Sequence, residues 1–162
     1  MPIMRSPIDT AEKMRHLIEG KVFCDLGSAG GVVVTGALKY AARSFGIERS
    51  KEAVANTRRK GLEVIEGDVL TMALPKADVY YCWITYDTQR EMLKRWREGK
   101  IHGTLVIAAE KFVGTEWAVT DEILSDADEV IEWDYNEGPG HRDSGRFRLC
   151  VFKRKADTNG AA

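Results

Sequence analysis

The chain has little proline and less cysteine, four and three among 162 residues. The cysteines, Cys24, Cys82 and Cys150, stand singly inside apolar runs, with no C-x-x-C pair. An odd count at such spacing excludes a disulfide framework and a thiolate zinc site, and it predicts buried reduced thiols. No metal site is expected. Excess charge of either sign is also missing: 24 Lys and Arg face 25 Asp and Glu, a formal net charge of −1. That balance argues against strong non-specific attraction to nucleic acid, although it leaves room for a local basic patch. No apolar run approaches the roughly 18 residues that a membrane span needs. The opening Met1-Pro2-Ile3-Met4-Arg5-Ser6 has no apolar stretch, so no secretory signal is expected and the cytoplasm is the expected compartment.

What is present is the composition of a folded protein, 44% hydrophobic and 30% charged, with length for one good core. A single domain over 1–155 is expected, followed by a disordered tail from Ala156 to Ala162. The apolar stripe Ala11, Met14, Leu17, Ile18 predicts a helix from Thr10 to Glu19. Lys21 to Leu26 reads as a strand buried on both faces, and Val32 to Arg43 as a helix packed on a sheet. Ser44 to Glu48 is the second strand; Ser50 caps a helix to Lys60, with Gly61 at its stop. Further strands are expected over Leu62–Glu66, Ala77–Ile84 and Gly103–Ala109. Helices are expected over Asp87–Glu98 and, after Thr115, Glu116–Ala127. Glu129–Tyr135 and Arg146–Lys153 then alternate in period two around Asn136-Glu137-Gly138-Pro139-Gly140, an antiparallel pair. The alternation predicts a doubly wound, Rossmann-like α/β fold: a seven-stranded, mostly parallel sheet with an antiparallel C-terminal pair and helices on both faces. Ligands of such sheets sit at the C-terminal ends of the strands.

The turn Asp25-Leu26-Gly27-Ser28-Ala29-Gly30-Gly31 falls where the first strand hands over to a helix. Glycines there allow positive φ and close approach of a ligand, and the helix start offers unpaired N–H groups. A dinucleotide fold needs G-x-G-x-x-G for its pyrophosphate, and G-S-A-G-G fails that spacing. The alternative pattern is an acid two positions before the first glycine, then roughly G-x-G-x-G, for a methyl donor without phosphate. Asp25, Gly27 and Gly31 satisfy it, and Ala29 replaces the middle glycine. Glu48, at the end of the second strand, can accept both hydroxyls of an adenosine ribose. Asp68, after the third strand, is positioned to contact an adenine amino group while a neighbouring apolar side chain packs on the ring.

This ordered set, continued by Ala77-Asp78-Val79-Tyr80-Tyr81, resembles a class I S-adenosylmethionine-dependent methyltransferase over about residues 21 to 154. The resemblance implies S-adenosyl-L-methionine as cofactor, its methionine portion at Gly27 to Gly31, its ribose at Glu48 and its adenine edge at Asp68. The full implied set is Asp25, Gly27, Ser28, Ala29, Gly31, Glu48, Arg49, Asp68, Val69 and Trp83. The methyl group of Ala29 adds bulk at a close-approach point. A module that binds this cofactor or another adenosine-containing ligand without catalysis is the alternative, and an NAD oxidoreductase is disfavoured because no catalytic domain remains.

The acceptor is harder to read. After the fourth strand, Tyr81-Cys82-Trp83-Ile84-Thr85-Tyr86 lacks the Asn/Asp-Pro-Pro-aromatic run of enzymes that methylate base amines, which disfavours amino methylation of DNA. Trp83, Tyr86 and Glu110 are the weak catalytic candidates: the aromatics as channel walls, the acid as an orienting group or base. His102 lies before the fifth strand, away from the crevice, and His16 and His141 have no clear place. Arg90, Lys94 and Arg97 share a helix face and, with Lys51, Arg58, Arg59 and Lys60, offer charge to an acidic partner. Short connections suggest an open crevice, suited to a large acceptor or to closure by a second subunit. The compact length is loosely similar to small archaeal and mitochondrial protein-lysine methyltransferases. A protein side chain such as lysine is therefore the expected acceptor, with no strong nucleic-acid signal, no membrane partner and an oligomer possible.

Overall fold

In a computed structural model, residues 6–111, 125–137 and 144–154 are described. Seven strands form one sheet in the order β3-β2-β1-β4-β5-β7-β6. They are β1 Val22–Leu26, β2 Arg43–Glu48, β3 Glu63–Glu66, β4 Val79–Cys82, β5 Thr104–Lys111, β6 Glu129–Asn136 and β7 Ser144–Phe152. The first five run parallel, while β7 is antiparallel to both β5 and β6. The expected hairpin thus forms, with its second strand inserted between β5 and the edge strand β6.

Helices α1 Thr10–Lys13, α2 Arg15–Ile18, α3 Val32–Ala37, α4 Lys51–Arg59 and α5 Tyr86–Arg97 accompany the sheet. The single helix expected over 10–19 is two pieces, because the backbone at buried Met14 leaves helical geometry (φ −111°, ψ 22°). The helix expected to reach Arg43 ends at Ala37. Its start, Val32-Val33-Val34, is β-branched and Gly36 comes soon after, all weak helix formers. Ala42 N–H then donates to Lys21 O (2.9 Å) and feeds the chain into the sheet. The helix expected at 116–127, the glycine–proline turn at 138–140 and the tail from 156 lie outside the described residues, except for the end of the first.

Period-two alternation sorts the strands into two cores. Cys24, Leu26, Tyr80, Cys82, Leu105 and Ile107 pack on one face with Met92 and Leu93 of α5. Phe23, Val79, Tyr81, Val106 and Ala108 pack on the other with Met14, Ile18, Val33 and Ala37. All three cysteines are buried free thiols. The chain leaves β1 toward β2 but reaches β4 on the opposite side, so the sheet order reverses between β1 and β4, where a ligand crevice opens beyond the strand ends.

Candidate active site

Just past that reversal the backbone turns sharply. Gly27 (φ 84°), Ala29 (φ 46°) and Gly31 (φ 85°) all take left-handed conformations. At Gly31 a Cβ would come within 2.8 Å of Leu62 Cδ1, the end of a side chain that can move aside, so it is the positive φ that calls for glycine. Gly27 and Ser28 N–H groups both donate to Ile47 O (2.8 and 3.0 Å), which draws the turn down onto β2. There Gly46 makes room: a Cβ on it would lie 2.3 Å from Ser28 Cβ and Oγ.

Glu48 fastens the turn from the side. Its Oε1 accepts from Ala29 N–H (2.9 Å) and its Oε2 from Ser50 N–H (2.7 Å). Helix α4, whose N-cap is Ser50, adds two more ties. Thr57 Oγ1 shares its one proton between Ala53 O (2.7 Å) and Ala29 O (3.1 Å), and Lys60 Nζ donates to Gly30 O (3.1 Å). The left-handed Ala29 is thus held by a hydrogen bond at each end of the residue.

A cavity of about 90 Å³ lies against this turn, lined by Asp25, Ser28, Ala29, Ser6, Tyr81 and Trp83 among others. Asp25 is 4% exposed, and burial, with the Glu48 charge adding to it, pushes its carboxyl up to about 8. Such a group stays neutral at pH 7 until a cation arrives. Ser28 Oγ is buried with no hydrogen-bond partner among the described residues. Ser6 and Tyr81 share a hydroxyl–hydroxyl hydrogen bond of 2.6 Å. Trp83, half-buried, stands edge-on to Phe147 with ring centroids 5.2 Å apart.

The remaining candidates separate. Arg49 is exposed just past β2. Asp68 Oδ1 accepts from Leu70 N–H (2.9 Å) and starts a tight turn, which Gly67 N–H joins to Glu48 O (3.0 Å). The Val69 side chain is 7% exposed and lies in the α5-side core, while Arg95 holds its carbonyl (2.9 Å). The apolar group left at the surface there is Leu70, 40% exposed. Tyr86 opens α5 with the Arg90 guanidinium over its ring (5.4 Å), and Glu110 is buried at the end of β5, accepting from Tyr135 OH. Neither lines the cavity, so of the three weak catalytic candidates only Trp83 does. Ser6 and Tyr81 were not foreseen. Tyr81 was legible, since alternation along β4 puts it on the face of Asp25, its register partner across the sheet. Ser6 reaches the cavity only through the fold of the N-terminal segment.

No protein-family model matches the chain, and no curated protein matches it in sequence. Solved structures do match in shape. A dimethyladenosine transferase of Plasmodium falciparum superposes with a TM-score of 0.63 at 15% identity, covering 99% of this chain and 66% of that one. The fold is that of class I methyltransferases. An RNA methyltransferase of Salinibacter ruber, solved with S-adenosyl-L-homocysteine, gives 0.62 at 18% identity over 91% of this chain and 94% of its own. The C-terminal domain of a precorrin-6Y C5,15-methyltransferase of Rhodobacter capsulatus gives 0.59 at 16% over 94% and 91%. The chain thus spans just under two thirds of the Plasmodium protein. These neighbours correct the expectation of a protein acceptor without a nucleic-acid signal: two carry RNA or adenosine methylation in their names, the third a small-molecule one. The likeness to protein-lysine methyltransferases gains no support. Among the described residues no helix is long and apolar enough to cross a membrane.

Proposed function

We propose that this chain is an S-adenosylmethionine-dependent methyltransferase whose acceptor is RNA. The observation that carries the reading is the cavity at the glycine turn, where a buried neutral carboxyl, Asp25, and an unpartnered buried hydroxyl, Ser28 Oγ, line one space. Buried polar groups are normally satisfied, so an orphan beside a cavity suits a polar ligand. The residues fit the cofactor. At about 90 Å³ the cavity is far below the roughly 300 Å³ or more of sites that enclose a whole ligand, so it seats only the amino-acid end. The adenosine end has Glu48 and, through the Gly67–Glu48 link, the Asp68–Leu70 turn.

Bound there, the cofactor supplies a methyl group on a sulfonium centre, open to in-line attack. Asp25 answers the ligand's positive charge by losing its proton, which its burial otherwise retains. Glu48 keeps its two backbone N–H bonds and has lone pairs left for ribose hydroxyls. Trp83, braced by Phe147, and Tyr81, braced by Ser6, wall the inner side and hold the reacting groups in line, a positioning role worth several powers of ten in rate.

RNA is favoured as acceptor by the Salinibacter neighbour, named an RNA methyltransferase, with the Plasmodium dimethyladenosine transferase beside it; a small-molecule acceptor is the second reading, favoured by the Rhodobacter neighbour. Calorimetry with S-adenosyl-L-homocysteine should show binding, weakened at least tenfold by Glu48→Ala. Tritiated-methyl transfer to a cell extract should then label material that ribonuclease destroys. Absent binding would overturn the cofactor reading, and label in small molecules or in ribonuclease-resistant protein would overturn the RNA reading.

A further inference from the structure

A second concavity, of about 1000 Å³, lies at the opposite end of the sheet from the glycine turn. Its walls include Lys21 before β1, Lys76 and Asp78 before β4, Lys100 and His102 before β5, and Lys153 and Arg154 after β7. These positions converge because β1, β4 and β5 are parallel while β7 runs against them, so three strand starts and one strand end share an edge. Five permanent cations and one carboxylate, Asp78, therefore line the groove, with Glu98 and Glu129 paired to two of the cations, in a chain whose formal net charge is −1.

The carboxylate is already engaged, since Asp78 Oδ2 accepts from Val22 N–H (2.8 Å). Lys100 pairs with Glu98 (2.9 Å) as an exposed pair of the kind that contributes little and opens easily, whereas Lys153 pairs with the half-buried Glu129 (3.0 Å), which His16 also contacts (2.7 Å). Arg154 lies over the Trp96 ring (4.2 Å) and donates to the Trp96 and Ile101 carbonyls, neutral partners that leave its charge in place. Lys21 and Lys76, both exposed, make no ion pair among the described residues.

We propose that this groove binds the phosphate backbone of the RNA acceptor, away from the site of methyl transfer; this rests on the RNA reading above. Four of the five cations are lysines from separate chain segments, flexible point charges without the fixed fork that reads one carboxylate or phosphate. The volume is at the top of the range for small-molecule sites and exceeds what one anion needs. Both features suit a sequence-independent polyanion contact, which positions a nucleic acid without reading its bases.

The test is fluorescence anisotropy with a labelled single-stranded RNA across a salt series, on wild type and on the double variant Lys21→Gln/Lys76→Gln. Exposed lysines outside the cofactor cavity should tolerate this change, and circular dichroism would verify the fold. The double variant should bind RNA about tenfold more weakly, with a salt slope shallower by about 1.4, or about 0.7 for each lost phosphate contact. Its affinity for S-adenosyl-L-homocysteine, by calorimetry, should be unchanged. Equal RNA affinity and slope in the two proteins would overturn the proposal, as would tighter binding of polyglutamate than of RNA, which would mark an acidic protein partner instead. The same calorimetry separates the two readings: lysine-dependent RNA binding by a wild type that ignores S-adenosyl-L-homocysteine would sustain the groove and sink the methyltransferase.

Discussion

Asp25 and Ala29 show what single residues cost at this site. The ordinary carboxyl value of 3.8 is raised to about 8 at Asp25. Below pH 4 the folded and unfolded chains both hold that proton, and the stability associated with it is fully present. As pH rises toward 8 the unfolded chain ionises first, and this contribution falls by about 1.4 kcal/mol per pH unit until the folded group ionises too. Asp25→Asn should therefore be more stable than wild type near pH 7, with a flatter pH–stability curve by urea denaturation, yet bind S-adenosyl-L-homocysteine poorly. A wild-type curve flat between pH 4 and 8 would contradict the assignment. Ala29 occupies left-handed space (φ 46°), which costs a non-glycine residue about 1 kcal/mol. Ala29→Gly should relieve that cost and raise the urea midpoint without weakening the cofactor. The methyl that looked like a defect in the motif is, by this geometry, a matter of strain that Glu48 and Thr57 hold in place.

Elements position these residues by where they begin and end. Strand β1 delivers Asp25 into the sheet between Gly46 of β2 and Tyr81 of β4, its register partners. Helix α4 anchors the turn through Thr57 and Lys60, and α5 anchors the Asp68–Leu70 turn, where Arg95 donates to Val69 O and Leu70 O (2.9 and 2.7 Å). Strand β7 carries Phe147, fully buried between Trp83 (5.2 Å) and Trp133 (5.4 Å). Its truncation in Phe147→Ala should cost about 3–5 kcal/mol, as large core truncations do. Because both indoles lose an aromatic neighbour, the tryptophan emission should change with it. Unchanged emission and a loss below about 1 kcal/mol would mean that β7 does not brace the cavity wall.

At the scale of the whole molecule, the sheet has a concavity at each end: one at the strand C-termini around the glycine turn, the other the basic groove beneath the strand starts. The first end was legible. Asp25, the glycines, Glu48 and Asp68 lie close along the chain, each at a strand end that local hydrophobic runs announce, so a local pattern sufficed. Elsewhere the deciding force was not local. The helix from Val32 stopped at Ala37 because the sheet claimed the residues from Ala42 onward, and Val69 turned into the core because α5 covers it. Likewise, Ser6 met Tyr81 across 75 positions of chain, and the lysines from Lys21 to Lys153 were scattered in a sequence of near-zero charge. By itself, then, the sequence determined the order of strands and helices and the glycine turn with the acids at the strand ends around it, because period and spacing are short-range properties. Only the tertiary structure decided that β7 lies between β5 and β6, that Ser6 meets Tyr81 at the cavity, and that distant cations share one groove. Those outcomes depend on which strand ends meet at the same edge of the sheet, a property of topology that no window of neighbouring residues contains.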